Sequence, residues 1–226
     1  MIVAIIPTLN EEEGVGLTIK ECLEVVPSLR IIVADGGSID STARIAKSFG
    51  AEVITVKERG KGVAISRALN YLREVEIDPD FIIFTDGDYT YPADRIPDMI
   101  RLLEEDGSVG AVLGNRLRNL SKWKLLSDIY LIGNLIIRWL YDVWCSIRLD
   151  DPLSGLRVVR WRAIRDWQPI SKNFEIETEM NLYLIQNGWR IAEVPINYRK
   201  RLGEKKLRIR DAIPIIRMLR NHSKKL

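Results

Sequence analysis

A chain of 226 residues, 46% hydrophobic and 29% charged, is long enough to bury a large core and too apolar for a disordered or collagen-like class. The net charge of +3 hides a division: Arg199 to Leu226 carries 11 Lys or Arg against Glu204 and Asp211, while the first 198 residues carry 23 basic and 29 acidic groups. An acidic body with a basic end points to an anionic partner met at the C-terminal end, with nucleic acid, phospholipid and phosphorylated substrates all in scope. Cys22 and Cys145 stand alone, which suits neither a zinc site nor a disulfide framework and fits a reducing, cytoplasmic setting. No secretory signal is expected ahead of the first motif, and no run of 18 apolar residues predicts a membrane-spanning helix.

In chain order, "IVAIIP" reads as a strand and Glu12 to Val26 as a helix. "RIIVAD" is the next strand, and "SIDSTARIAKSFG" a helix with Asp40 at its N-cap and a closing glycine. "AEVITV", the helix "GKGVAISRALNYLREV", "FIIFTD", a helix from about Pro92 to Glu105, and "VGAVLG" follow. Past residue 150, "GLRVVR" and "IAEVPINY" read as strands around a helix from about Glu175 to Asn187. This alternation predicts an α/β fold with a mostly parallel central sheet covered by helices, its strands buried on both faces. Residues 1–207 are expected to form one catalytic domain, and 208–226 a basic amphipathic helix or tail.

Ligands of such sheets bind beyond the carboxyl ends of the strands. Those ends gather Asn10, Glu11, Asp35, Asp86, Asp88 and Arg116 on one rim. Asp86 and Asp88 in "TDGDYTYP" cannot both stay ionised cheaply without a cation or donors between them. Hard divalent ions such as Mg²⁺ or Mn²⁺ take oxygen ligands, commonly one or two carboxylates with substrate phosphates. A bare Asp-Gly turn is the alternative; the other rim residues favour the metal. Neither the dinucleotide fingerprint nor the Walker loop is present. "RGKGVA", with Lys61, reads equally as a phosphate cradle or as a flexible helix N-terminus.

"PTLNEEEG", "VADGGSIDST", "TDGDYTYP", "GNR", "DDPLSGLRVVR", "FEIETEM" and "YRKRLGEKKL" occur in the order and spacing of family 2 glycosyltransferases. The resemblance leans toward dolichyl-phosphate mannosyltransferases and other polyprenyl-phosphate glycosyltransferases, from Ile2 to about Leu207. It implies a GT-A fold, a metal-bound nucleoside diphosphate sugar (GDP-mannose or UDP-glucose) and inversion at the anomeric carbon. Carried over by position, Pro7, Leu9, Glu11, Asp35, Lys61 and Asp86 would meet the nucleotide, and Asp86, Asp88 and Thr90 the metal. Asp88, Arg116, Arg201 and Lys206 would carry catalysis; Arg116, Lys124, Asp151, Ser154, Arg157 and Glu175 would face the acceptor. Leu9 replaces a usual tyrosine, Thr90 a frequent glutamine ligand and Lys205 a usual serine; an arginine expected before the middle helix is absent, with Lys122 and Lys124 nearest.

A leaving diphosphate needs its growing charge met by a metal or cations. A hydroxyl acceptor would need a base, for which Asp151 and Glu175 are candidates against structural roles in a turn and an ion pair. His222 is expected to be solvated. A phosphate acceptor is ionised at neutral pH, since its second pKa is about 6, and needs cations instead. From Lys124 to Ser146, one-third of a helical wheel collects Lys124, Ser127, Asp128, Asn134, Arg138, Asp142 and Cys145; the rest is apolar, with Trp139 and Trp144 and the preceding Trp123. An interfacial helix, a core helix and a homodimer face over 123–146 all fit this pattern. With the basic end, where Asp211 is expected to cap a helix tolerating Pro214, it predicts peripheral association with an anionic membrane and a polyprenyl phosphate acceptor. A soluble sugar or phosphorylated small molecule is the alternative acceptor. Rim carboxylates argue against nucleic acid, and the acidic "PTLNEEEG" against a sugar nucleotidyltransferase.

Overall fold

The computed structural model describes residues 1–118, 129–204, 206 and 208–223. Seven strands form one sheet in the order β3-β2-β1-β4-β6-β5-β7. They are β1 (Ile2–Thr8), β2 (Arg30–Asp35), β3 (Glu52–Thr55), β4 (Phe81–Phe84), β5 (Val109–Asn115), β6 (Arg157–Arg160) and β7 (Arg190–Pro195). All paired neighbours run parallel except β6, which is antiparallel to both β4 and β5. The carboxyl ends of β1, β2, β4 and β5 therefore share one edge, as the sequence predicts.

The strands lack strict polar alternation because both faces are covered. On one face Ala4, Ile6, Ile31 and Val33 meet α1 (Val15–Val25) and α4 (Ile96–Glu105) through Ile19 and Met99. On the other, Val3, Ile5, Ile32 and Ala34 meet α3 (Lys61–Glu74) through Leu69 and α7 (Ile176–Gln186) through Met180. The period of two along each strand sends successive residues to opposite cores. Helix α2 (Thr42–Ser48) has Ser41 rather than Asp40 at its N-cap position, although Asp40 Oδ1 accepts the Thr42 N–H at 3.0 Å and so satisfies one unpaired donor of the first turn. The short α6 (Trp161–Ile164) follows β6, and a 3₁₀ turn, Ala93–Arg95, precedes α4.

A third apolar cluster joins α5 (Ile129–Cys145) to α8 (Ala212–Ser223). Ile137, Leu140, Tyr141 and Cys145 pack with Ile215 and Leu219, so the C-terminal helix belongs to the body and is no free tail. Asp211 accepts the Arg208 N–H at 2.7 Å just before it. Two expectations are corrected here. Cys145 is buried, its Sγ directed at the Leu219 carbonyl, and does not join a polar stripe. His222 is buried beside Gln186, 2.9 Å away, because its helix face packs on α7. Lys122, Trp123, Lys124, Ser127 and Asp128 lie outside the described residues, as does Lys205. Among the described residues no helix is long and apolar enough to cross a membrane.

Candidate active site

Two loops build the rim. After β1 the chain passes Asn10, at φ 50°, to Glu11; after β4 it turns through Asp86, Gly87 and Asp88 to Tyr89, at φ 62°. A left-handed tyrosine is uncommon and needs outside support. Its hydroxyl donates to Glu21 at 2.8 Å, and Arg199 lies 4.2 Å over its ring. The loops touch through backbone: a β-carbon on Gly14 would lie 2.6 Å from the Gly87 carbonyl oxygen, so glycine is required for this approach.

Residues 198–204 cross this turn as a strap, and Lys206 lies beyond it on the same side. Arg199 N–H donates to the Thr90 carbonyl at 2.9 Å and Leu202 N–H to the Asp88 carbonyl at 3.1 Å. Arg201 thereby reaches Glu11 at 2.5 Å and Asp88 Oδ2 at 3.1 Å, while Lys206 contacts Glu11 Oε1 and donates to the Asn10 carbonyl at 3.1 Å. Burial raises the Glu11 carboxyl above its ordinary pKa despite both cations. Asp88 is also raised, first by burial and then by the Asp86 charge. Glu11 Oε2 is buried with no hydrogen-bond partner among the described residues.

Asp86 is met from another side. Lys61 Nζ lies 2.6 Å from Asp86 Oδ1 and 2.6 Å from Glu177 Oε1. Burial opposes the ammonium, but the two carboxylates outweigh it and hold its pKa above the ordinary value. A cavity of about 230 Å³ opens among these groups, walled by Asp86, Asp88, Glu11, Lys61, Arg201 and Lys206, with Pro7 and Leu9 on its apolar side. Among the described residues no three carboxylates, histidines or cysteines converge to cage a metal alone. Asp86 and Asp88, whose like charges act on each other across this turn, nevertheless suit a hard divalent ion that takes its remaining ligands from phosphate and water.

Eight sequence-predicted residues thus come together: Pro7, Leu9, Glu11, Lys61, Asp86, Asp88, Arg201 and Lys206. Others stand elsewhere. Asp35 ends β2 behind the cavity, its carboxylate taken by the Ser38 N–H and hydroxyl and by Thr8. Thr90 is buried outside the cavity lining, and its hydroxyl donates to Asp88 Oδ1 at 2.6 Å, so it orients Asp88. Arg116 is spent on Asp151, with Nε–Oδ2 and Nη2–Oδ1 both 2.7 Å, and its third nitrogen donates to Tyr91 at 3.1 Å. Burial works against this guanidinium, yet Asp151 drives its pKa well above the usual value. Asp151, wholly buried and paired, is no free base.

Glu175 Oε1 accepts the Lys172 and Asn173 N–H groups, fixing the loop that leads into α7 without capping the helix itself. Ser154 is wholly buried, and its carbonyl accepts from Arg157 at 2.6 Å. Arg157, also buried, donates to Asn181 Oδ1 at 3.0 Å, and burial lowers its pKa. Lys124 lies outside the described residues. The sequence-predicted set omits Glu177 and Tyr91. The signal for Glu177 was an acid one position past Ile176 on the face that also buries Met180 and Asn181.

Fold and rim together define the chain as a GT-A glycosyltransferase, with its polar residues at the carboxyl edge of a doubly covered sheet. A profile of glycosyl transferase family 2 matches residues 3–147, and the chain belongs to that family. It is 29% identical over 202 residues to a dolichyl-phosphate hexose transferase of Haloferax volcanii, covering 88% of this chain and 83% of that one. It is 28% identical over 218 residues to an undecaprenyl-phosphate mannosyltransferase of Micrococcus luteus, covering 91% and 87%. The fold matches glucosyl-3-phosphoglycerate synthase from Mycobacterium tuberculosis, solved with Mn²⁺, UDP and phosphoglyceric acid, at a TM-score of 0.75 and 20% identity over 97% of this chain and 75% of that one.

Proposed function

We propose that this glycosyltransferase moves a hexose from a metal-bound nucleoside diphosphate sugar, with GDP-mannose and UDP-glucose as the candidate donors, to a polyprenyl phosphate at a membrane surface. The observation that carries the reading is the cavity itself, where three carboxylates and three cations from four segments of the chain face one space. Asp88 and Asp86 would hold Mg²⁺ or Mn²⁺, which when bound supplies Lewis-acid neutralisation of the diphosphate. Arg201 reaches the rim on the strap and Lys206 from beyond it, and both add cationic charge beside the leaving phosphate. Pro7 and Leu9 offer an apolar wall to the base.

The state of the rim acids supports a phosphate acceptor. Asp151 is paired with Arg116, Glu175 accepts two N–H groups of the loop before α7, and Glu11, Asp86 and Asp88 each already face a cation. His222 packs away from the cavity on α8. A hydroxyl nucleophile would need one of these groups as a base, whereas a phosphate monoester arrives ionised. Arg116, beside the rings of Tyr91 and Tyr198, would keep its two-pronged hold on Asp151 and offer an incoming acceptor phosphate the nitrogen that now donates to Tyr91.

A lipid source for that phosphate is supported by α5. Ile132, Ile136, Trp139 and Val143 are 36%, 50%, 58% and 54% exposed, at spacings of four and three that align them along one helix face. Ile209, in the 3₁₀ turn that precedes α8, and Ile213, in the first turn of α8, are exposed beside Arg208 and Arg210. An apolar stripe with basic neighbours suits the headgroup region of an anionic leaflet. Two of the similar proteins, the dolichyl-phosphate hexose transferase and the undecaprenyl-phosphate mannosyltransferase, are named for phosphates of this type, which supports the reading.

The test is to incubate the protein with Mn²⁺, labelled GDP-mannose or UDP-glucose, and either polyprenyl phosphate or 3-phosphoglycerate. Label extractable into organic solvent supports the proposal; label only in the aqueous phosphoglycerate product overturns the lipid acceptor, and no transfer at all overturns the donor reading.

A further inference from the structure

Lys61 opens α3, where a cation opposes the positive end of the helix dipole. The backbone nevertheless fixes it there. A β-carbon on Gly60 would lie 2.1 Å from the Lys172 carbonyl oxygen, and one on Gly62 would lie 2.2 Å from that of Ser171. Val63 donates its N–H to the same Lys172 carbonyl at 3.2 Å. The segment so clamped leads directly into α7, whose first turn carries Glu177. Contact between two backbones therefore sets the distance between Lys61 and Glu177. Glu177 itself sits at the end of α7 that favours an anion, and its side chain is 7% exposed.

Glu177 does not line the cavity. The cavity is lined by Lys61 and Asp86, whereas Glu177 lines a separate void of about 10 Å³ behind them, room for a single water at most. Its backbone carbonyl and Asn181 help to hold Arg157, so Lys61, Arg157, Asp86 and Glu177 form a neutral set in the wall. Glu11, Asp88, Arg201 and Lys206 form a second neutral set on the strap side. A carboxylate that grips the ammonium but not the ligand acts only through the ammonium.

We infer that Glu177 is a positioning residue for Lys61: it holds the ammonium back against Asp86, so that Lys61 engages the donor diphosphate weakly in the ground state and more strongly as charge builds on the departing phosphate. The inference rests on the nucleotide-sugar reading above. An interaction withheld from the ground state raises kcat, whereas one made equally in both states only lowers KM. Glu177 is thus expected to weaken donor binding and speed turnover together, a pairing that simple support of the fold does not produce.

Glu177→Gln keeps the shape and removes the charge. Titration calorimetry with GDP and UDP should show a dissociation constant lowered about fivefold, KM for the nucleotide sugar should fall with it, and kcat should fall about tenfold. The pair Lys61→Met with Glu177→Leu removes both charges and keeps the wall's balance; it should lose kcat without the tighter nucleotide binding. Unchanged kcat in Glu177→Gln, or weaker nucleotide binding accompanied by a lower Tm, overturns the inference and leaves Glu177 a structural ion-pair partner. Tighter nucleotide binding in the double variant overturns it as well, because the effect would not pass through Lys61. Wild-type protein that binds neither nucleotide overturns the donor reading, and this inference with it.

Discussion

Arg201 is where the strap's charge meets the rim, and replacing it with alanine separates binding of a metal from catalysis. Its guanidinium contacts Glu11 at 2.5 Å and Asp88 at 3.1 Å, with 20% of the side chain exposed. At an effective dielectric near 20 each such pair is worth about 4 kcal/mol before desolvation. Desolvation returns most of this, and Lys206 still holds Glu11, so the net loss is about 1–3 kcal/mol. In a chain of this size that is a fall in Tm of roughly 3–10 °C. Two carboxylates then face the cavity with less compensation. Mn²⁺ should bind about tenfold more tightly, and saturating Mn²⁺ should restore most of the lost Tm. Turnover should move the other way, falling ~10²–10³-fold, because the leaving diphosphate loses a cation. Thermal unfolding with and without Mn²⁺, calorimetric titration of Mn²⁺ and labelled-sugar transfer measure the three quantities. Weaker Mn²⁺ binding by the variant, or stability indifferent to Mn²⁺, would refute the idea that the strap stands in for a metal at this rim.

The other end of the strap is tied by Glu21, which accepts from Arg199 at 3.0 and 2.8 Å and from Tyr89 at 2.8 Å. Burial pushes its carboxyl up, but the Arg199 and Tyr89 hydrogen bonds outweigh that and the net shift is downward. A carboxyl lowered on folding stabilises above its unfolded pKa and loses that contribution as pH falls through the folded value. Wild-type protein should therefore exceed Glu21→Gln by about 1–2 kcal/mol at neutral pH. That margin should shrink as pH falls through and below the ordinary carboxylate range in parallel thermal unfolding series; a margin that stays constant with pH would contradict the pairing. On α5, Ile136→Glu with Trp139→Glu alters exposed positions, so Tm should hold while partition onto phosphatidylserine vesicles drops about tenfold in sedimentation. Undiminished vesicle binding would remove the membrane role from this face, and a halved mass by light scattering would reassign it to a second copy of the chain.

Much of the architecture was legible before any coordinates. The apolar runs of β1, β2, β4 and β5, and the breaks that follow them, located the rim, because burial on both faces leaves no polar residue until a strand ends. The acidic pair Asp86 and Asp88 and the basic stretch around Arg201 could likewise be read locally, each from neighbours in sequence. The antiparallel insertion of β6 could not, since strand direction is set by the path of the chain and not by residue pattern.

Partnership was the harder matter. The chain holds 34 Lys or Arg and 31 Asp or Glu, and nothing in their order says that Arg201 meets Glu11 across 190 positions. Nor does it say that Asp151 neutralises Arg116, that Thr90 serves Asp88, or that Glu177 grips Lys61. A hydrophobic period reports which face of an element leaves water, a property of a few consecutive residues. Charge pairing depends on which elements the topology brings within about 4 Å, where Coulomb energy becomes large enough to hold a side chain. The sequence by itself determined the layers and the rim; the tertiary structure decided which of the rim's charges are already engaged and which face the cavity.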